Sequence, residues 1–160
     1  MRYSFLDTPI GQLVLSGDEH ALSGIAFADS RKAPDIDASC TRDDGALARV
    51  AEQLSAYFAG ELTRFELELA PPGTPFQQRV WAALQTIPYG ATTTYGRLAQ
   101  LLGDPRATRA VGLANGRNPI PIVIPCHRVI GADGSLTGYG GGIYRKQWLL
   151  AREGLALAME

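Results

Sequence analysis

Cys126 and His127 stand side by side in the run Pro125-Cys126-His127-Arg128, and a thiol next to an imidazole is the raw material of sulfur nucleophile chemistry. A free thiol is only a few per cent ionised at neutral pH, so it needs a base within hydrogen-bond reach before it can attack carbon. Successive residues of a regular strand point to opposite faces, so the pair can cooperate only if the chain turns here; Pro125 is compatible with such a turn. A histidine base also needs an acid to orient it. Among Asp104, Asp133, Glu153 and Glu160, the acids of this half of the chain, Glu153 at the end of the last helix is the least committed to solvent. Each residue has a plainer reading too: Cys126 as a small buried hydrophobe, His127 as a satisfied core imidazole, Glu153 as a solvated helix end.

The elements around these residues follow from pattern. The β-branched run from Ile120 reads as a buried strand entering Pro125, and Tyr144 to Arg152 reads as a final amphipathic helix after a glycine-rich stretch, Gly131 to Gly142. Thr74-Pro75-Phe76-Gln77 carries an N-cap, a proline at the first helical position and Gln at N3, with Phe76, Val80, Trp81, Leu84 and Ile87 as the apolar face. Threonines 92–94 can cap a short helix through Leu102, Gly103-Asp104-Pro105 breaks it, and another runs from Arg106 to Asn115. Two short helices about a glycine-containing turn outline a helix-turn-helix. Upstream, residues 2–29 read as an antiparallel meander, 29–44 as a loop, Gly45 to Ala59 as a helix and Phe65 to Leu69 as one more strand. Ala70-Pro71-Pro72-Gly73 is the best linker. The expected fold is α+β: a small N-terminal antiparallel-sheet domain with a helix over 1–70, a linker at 71–74, and a mostly helical, winged-helix-like domain over 75–160.

Charge divides at the same place. The 160 residues carry a net charge of −1, yet residues 1–73 hold 6 basic and 12 acidic side chains while residues 74–160 hold 9 basic and 4 acidic ones. A basic second half suits an anionic partner, nucleic acid first among them. A hydrophobic share of 46% with 19% charged residues is an ordinary globular composition, and a chain of this length needs no disulfide or metal staple. The longest strongly apolar stretch, Ile120 to Pro125, is far short of the ~20 residues that cross a bilayer, and no signal-peptide core follows Met1. With 2 cysteines and 2 histidines there is no zinc-site spacing, so free thiols in the cytoplasm, no membrane, no metal and no cofactor are expected.

Pro125-Cys126-His127-Arg128-Val129-Ile130-Gly131 resembles the active-site motif of the O6-alkylguanine-DNA alkyltransferases, the methylated-DNA–protein-cysteine methyltransferases. Tyr95-Gly96-Arg97-Leu98-Ala99, Arg106 to Gly112, Asn118-Pro119-Ile120-Pro121, Gly138-Tyr139-Gly140-Gly141-Gly142 and Trp148 to Gly154 all occur in that family's order. The resemblance is close over 74–154, and looser over the first half, where it implies a ribonuclease H-like domain. It implies that Cys126 accepts the alkyl group, that His127 draws off the thiol proton through a water with Glu153 orienting the ring, and that Tyr95 serves N3 of the base. It also implies that backbone N–H near Tyr139 and Gly140 meets O6, that Asn118 is a hinge, and that Pro121 and Val129 are among the substrate- and DNA-binding residues. Arg109 would fill the stack left by a flipped nucleotide. Ala107 and Ala110, with Ala114 at i, i+3 and i+7, would give the second helix a low profile in the minor groove of double-stranded DNA containing O6-alkylguanine; tight helix packing explains the same spacing. The thioether product cannot be cleaved here, so one turnover per molecule is implied, for a bacterial-type monomer associated with the nucleoid when on DNA, its cooperativity open. Gly140-Gly141-Gly142 departs from members with serine there, which implies a looser loop.

Read from the residues alone, three rivals stay open. A Cys-His hydrolase or acyltransferase would turn over many times through a thioester. A helix-turn-helix binding module would keep its effect without Cys126, and a redox sensor would oxidise that thiol reversibly.

Overall fold

The computed structural model describes residues 1–136 and 138–155, which fold as two compact units, one over Met1–Pro72 and one that begins at Gly73. In the first unit, β1 (Arg2–Thr8), β2 (Gly11–Gly17) and β3 (Leu22–Phe27) form the antiparallel meander. Thr8 pairs with Gly11 across the tight turn, where its hydroxyl donates to the Gly11 carbonyl and accepts from Ile10 N–H. The segment read as loop contributes a two-residue strand, β4 (Thr41–Arg42), parallel to β1, giving the order β3-β2-β1-β4. Helix α1 (Ala48–Phe58) turns Val50, Leu54, Tyr57 and Phe58 inward, and Leu13, Leu15, Ile25 and Phe27 complete the core from the sheet.

Phe65 to Leu69 does not form the expected strand. Its side chains alternate in exposure as a strand's would, but only Leu69 bridges the sheet, beside Leu22. The backbone of Glu66 is claimed instead by a side chain: Gln53 of α1 accepts from Glu66 N–H at 2.9 Å and donates to its carbonyl at 3.1 Å. A ladder needs those groups, so the period-2 pattern is present without the sheet.

In the second unit, α2 (Pro75–Leu84) begins with a complete capping box: Thr74 accepts from Gln77 N–H while the Gln77 side chain accepts from Thr74 N–H. Val80, Trp81 and Leu84 are buried, with Ile87 just past the helix, while Phe76 is only half-buried. Thr94 caps α3 (Tyr95–Leu101). After the Gly103 break a 3-10 turn, Pro105–Ala107, leads into α4 (Thr108–Gly116). The Trp81 indole N–H donates to Ala114 O at 2.9 Å and Arg79 to Leu102 O at 2.9 Å, so α2 fixes the ends of both helices. β5 (Thr93–Thr94) and β6 (Val129–Ile130) pair in parallel, and α5 (Ile143–Arg152) closes the unit. The result is an α+β chain with an antiparallel-rich sheet in one unit and a helix-turn-helix in the other.

The buried strand expected before Pro125 is a turn. Pro121 bridges Ile124, Ile124 N–H donates to Ile120 O at 2.9 Å, and Ile122 sits at φ 76° although it is β-branched. That conformation costs about 1–3 kcal/mol and persists only where surroundings over-determine it. Asn118 does so: its carboxamide accepts from Ile120 N–H at 3.0 Å and donates to Ile124 O at 2.7 Å, spanning the whole turn.

Candidate active site

The Asn118-braced turn delivers the chain directly into the nucleophile. Cys126 N–H donates to Ile124 O at 2.8 Å, and Cys126–Arg128 is one turn of 3-10 helix before β6. Consecutive side chains on such a turn diverge by roughly 120° rather than 180°, so the chain bends where cooperation of Cys126 and His127 requires it. Cys126 is buried at 6% exposure and His127 is wholly enclosed.

His127 is oriented from α5. Its Nε2 lies 2.7 Å from Oε2 of Glu153, the residue that caps the helix's C-terminus. A carboxylate only accepts, so Nε2 carries the proton and Nδ1 keeps its lone pair. Nδ1 is buried without a hydrogen-bond partner among the described residues. Burial lowers the imidazole's affinity for protons, and the Glu153 hydrogen bond and charge oppose that. The ring rests neutral, as a base must. Glu153 is itself no solvated helix end: it is 4% exposed and gripped by Arg128, whose Nε reaches Oε1 at 2.7 Å and whose Nη2 reaches Oε2 at 3.1 Å. The third guanidinium nitrogen, Nη1, donates to Ile87 O at 2.7 Å.

Tyr139 is buried, and its hydroxyl has no partner among the described residues. Burial first, and the charge of Cys126 second, push its phenol well above its usual range, so it stays protonated. The half-buried Tyr95 opens α3 with its ring beside Gly112 of α4 and its hydroxyl beside Gly138. A Cβ at Gly138 would stand 3.1 Å from that hydroxyl, and φ 67° disfavours a side chain there as well. Val129 is fully buried, Pro121 half-buried and Gly140 exposed.

On α4, Arg109 and Ala110 are exposed, as is Arg106 just ahead. The alanine stripe is divided: Ala107 belongs to the preceding 3-10 turn and is half-buried, while Ala114 is 3% exposed and carries the Trp81 hydrogen bond. Ala114 therefore serves packing, and the exposed small residue of that stripe is Ala110.

Three polar residues of this region carried no expectation from the sequence. Arg128 holds the acid, and Asn115 of α4 donates to Cys126 O at 3.4 Å. Lys146 of α5 is completely buried and donates to Val129 O at 2.6 Å. Its signal was available: Lys146, Leu149, Leu150 and Glu153 fall at i, i+3, i+4 and i+7, so the lysine stands on the buried stripe.

Residues 75–155 match the family of the 6-O-methylguanine DNA methyltransferase DNA binding domain, and residues 1–71 match its ribonuclease-like domain. The methylated-DNA–protein-cysteine methyltransferase of Mycolicibacterium paratuberculosis is 56% identical over 96% of this chain and 92% of its own. That of Methanosarcina acetivorans is 50% identical over 96% and 99%. Among solved structures, Mycobacterium tuberculosis OGT in complex with DNA superposes with a TM-score of 0.89 at 54% identity, covering 96% of this chain and 92% of that one. The O6-methylguanine-DNA methyltransferase of Pyrococcus kodakaraensis gives 0.71 at 30% identity, covering 96% and 99%.

Proposed function

The chain belongs to the 6-O-methylguanine DNA methyltransferase family, and from that premise we propose that Cys126 is the residue that takes the alkyl group from O6-alkylguanine in DNA. The reaction is direct-reversal repair by transfer to a protein cysteine. The Cys126 sulfur forms a bond to the alkyl carbon as the carbon–O6 bond breaks, the electron pair leaves on guanine, and the departing base is protonated. The observation that carries this reading is the buried His127–Glu153 contact of 2.7 Å, one residue from the thiol. His127 Nδ1 takes the thiol proton through a water, and the pair spreads the resulting positive charge onto Glu153, itself balanced by Arg128. Tyr95 supplies its phenol to N3 as guanine leaves, and backbone N–H at Tyr139 and Gly140 meets O6. Asn118 holds the turn before the nucleophile, while Pro121 and Val129 are among the substrate- and DNA-binding residues.

DNA is the partner. An atom inside the duplex cannot reach a thiol that is 6% exposed, so the damaged nucleotide must be flipped out at a cost of a few kcal/mol. Arg109, exposed near the start of α4, fills the vacated stack, and Ala110 on α4 with Ala107 on the turn ahead of it gives a low profile toward the minor groove, for a protein acting as a monomer. The site of action in the cell is the cytoplasm, on the nucleoid.

A thioether is not hydrolysed by anything in this site, which separates the reading from a Cys-His hydrolase. With a tenfold excess of duplex carrying O6-methylguanine, the guanines restored should level off at one per chain. Continued release beyond one equivalent would favour a hydrolytic cycle and contradict the proposal.

A further inference from the structure

Helix α4 turns Val111, Ala114 and Asn115 inward, and its opposite side exposes Arg109, Ala110 and Leu113. With roughly 100° between successive residues, Leu113 falls between Arg109 and Ala110 around the axis, one turn further along. It is 62% exposed, and no step of the proposed function uses it. Arg106 precedes this face on the 3-10 turn, and Arg117 follows Leu113 by one turn at the helix's C-cap. Both are exposed, and neither they nor Arg109 make an ion pair or a side-chain hydrogen bond among the described residues. A single exposed leucine is ordinary on a protein surface. One at the centre of an unpaired cationic face stands where a polyanion docks, and charge complementarity makes DNA its occupant.

Size then decides what Leu113 does there. Ala110 adds one carbon to the helix surface and leucine adds three more, in a groove only about 6 Å wide. Leu113 also lies about 6 Å along the helix from Arg109, within about two base steps of the nucleotide that is flipped. An apolar side chain at that depth meets the base edges, and such wedges partly unstack a step and kink it. We infer that Leu113 is a specificity-determining residue, an apolar wedge that makes the protein favour lesions beside deformable base steps. Pyrimidine–purine steps unstack easily, whereas A-tracts are stiff and narrow in the minor groove. Arginines alone would favour the opposite, since the narrow groove of an A-tract draws guanidinium groups.

The inference rests on the proposed approach of α4 to the minor groove, but its test needs no transfer. Two duplexes each carry one O6-methylguanine, flanked by TA and CA steps in one and by an A-tract in the other. Dissociation constants are measured by fluorescence anisotropy for C126S, and for C126S combined with L113A, L113M or R109A. C126S should bind the deformable duplex about fivefold more tightly or better. L113A should bring that ratio to one or below, and L113M, which keeps the apolar reach, should retain it. A ratio near one in C126S, or an undiminished ratio in folded L113A, overturns the inference. Weaker binding in R109A with L113A unchanged removes the wedge alone, and binding indifferent to both removes the approach of α4 as well. A Leu113-dependent ratio in a protein that transfers no methyl group would leave this inference standing and remove the proposed function instead.

Discussion

The two units bury different things. The polar side chains enclosed in the first are Ser4 and Ser16, and its interior side chains are otherwise Leu, Ile, Val, Ala and aromatic rings. The second encloses Asn115, Asn118, His127, Arg128, Lys146 and Glu153. Hydrophobic packing alone gives a stable fold at little electrostatic risk, whereas each buried charge must be matched or the structure loses several kcal/mol. A protein accepts that risk where a low dielectric makes charges effective, and that is where a thiol has to be ionised beside a neutral imidazole. The contrast extends to the surface. The ion pairs of the first unit, such as Arg42 with Asp44 at 3.0 Å, are exposed and worth little, while Arg128 with Glu153 lies in the interior.

The contrast can be broken most forcefully at Glu153. E153Q leaves Arg128 without its counter-charge in the interior, and the second unit should lose about 3–5 kcal/mol, read by urea denaturation. Loss within the range of a surface pair would mean that the buried network is not electrostatically coupled. The counterpart in the first unit is Leu54, fully buried in α1: L54A should cost about 2–5 kcal/mol through lost transfer energy and a cavity. The transfer rate per folded molecule should be unchanged, and a rate lowered in the folded fraction would show that the first unit takes part in the chemistry.

A smaller effect is expected at the DNA-facing surface. R109A should slow transfer from duplex by about tenfold or more and leave transfer from a single strand unchanged, because only the duplex charges the flipping cost. Equal slowing on both would place Arg109 in general phosphate attraction. Smallest is the pH response. His127 is held below its ordinary 6.5 by burial, so the unfolded chain binds that proton more readily. Its contribution to stability is complete above 6.5 and declines as pH falls from there toward the folded value. The shifted acids of the first unit, Asp18, Asp37 and Asp44, are lowered from 3.8 by hydrogen bonds and act only at more acidic pH. Hydrogen exchange between pH 7.5 and 5.5 should therefore weaken the second unit first; weakening of both alike would contradict the assignment.

Much of this was legible because local chemistry announces itself. Thr74-Pro75-Phe76-Gln77 specified its helix start and became a complete capping box, and the alternation of residues 2–27 became three antiparallel strands. Glu153 was selected from four acids by its place on a helix, and it stands against His127. The failures share one cause, a side-chain amide taking backbone groups that the pattern assigns to a strand. Phe65 to Leu69 alternates, but Gln53 takes the backbone of Glu66. Ile120 to Ile124 is rich in β-branched residues, but Asn118 bends it and holds Ile122 at φ 76°. Lys146 and Arg128 went without a role because charged residues are ordinarily read as surface, and their burial depends on groups remote in sequence.

The most direct test asks where the alkyl group goes. The protein is incubated with a duplex containing a single O6-methylguanine, and its peptides are weighed. One added methylene on the peptide carrying Cys126, none on that carrying Cys40, and saturation at one per chain are predicted. A folded protein that restores guanine while Cys126 stays unmodified, or that carries the methyl group elsewhere, would contradict the account.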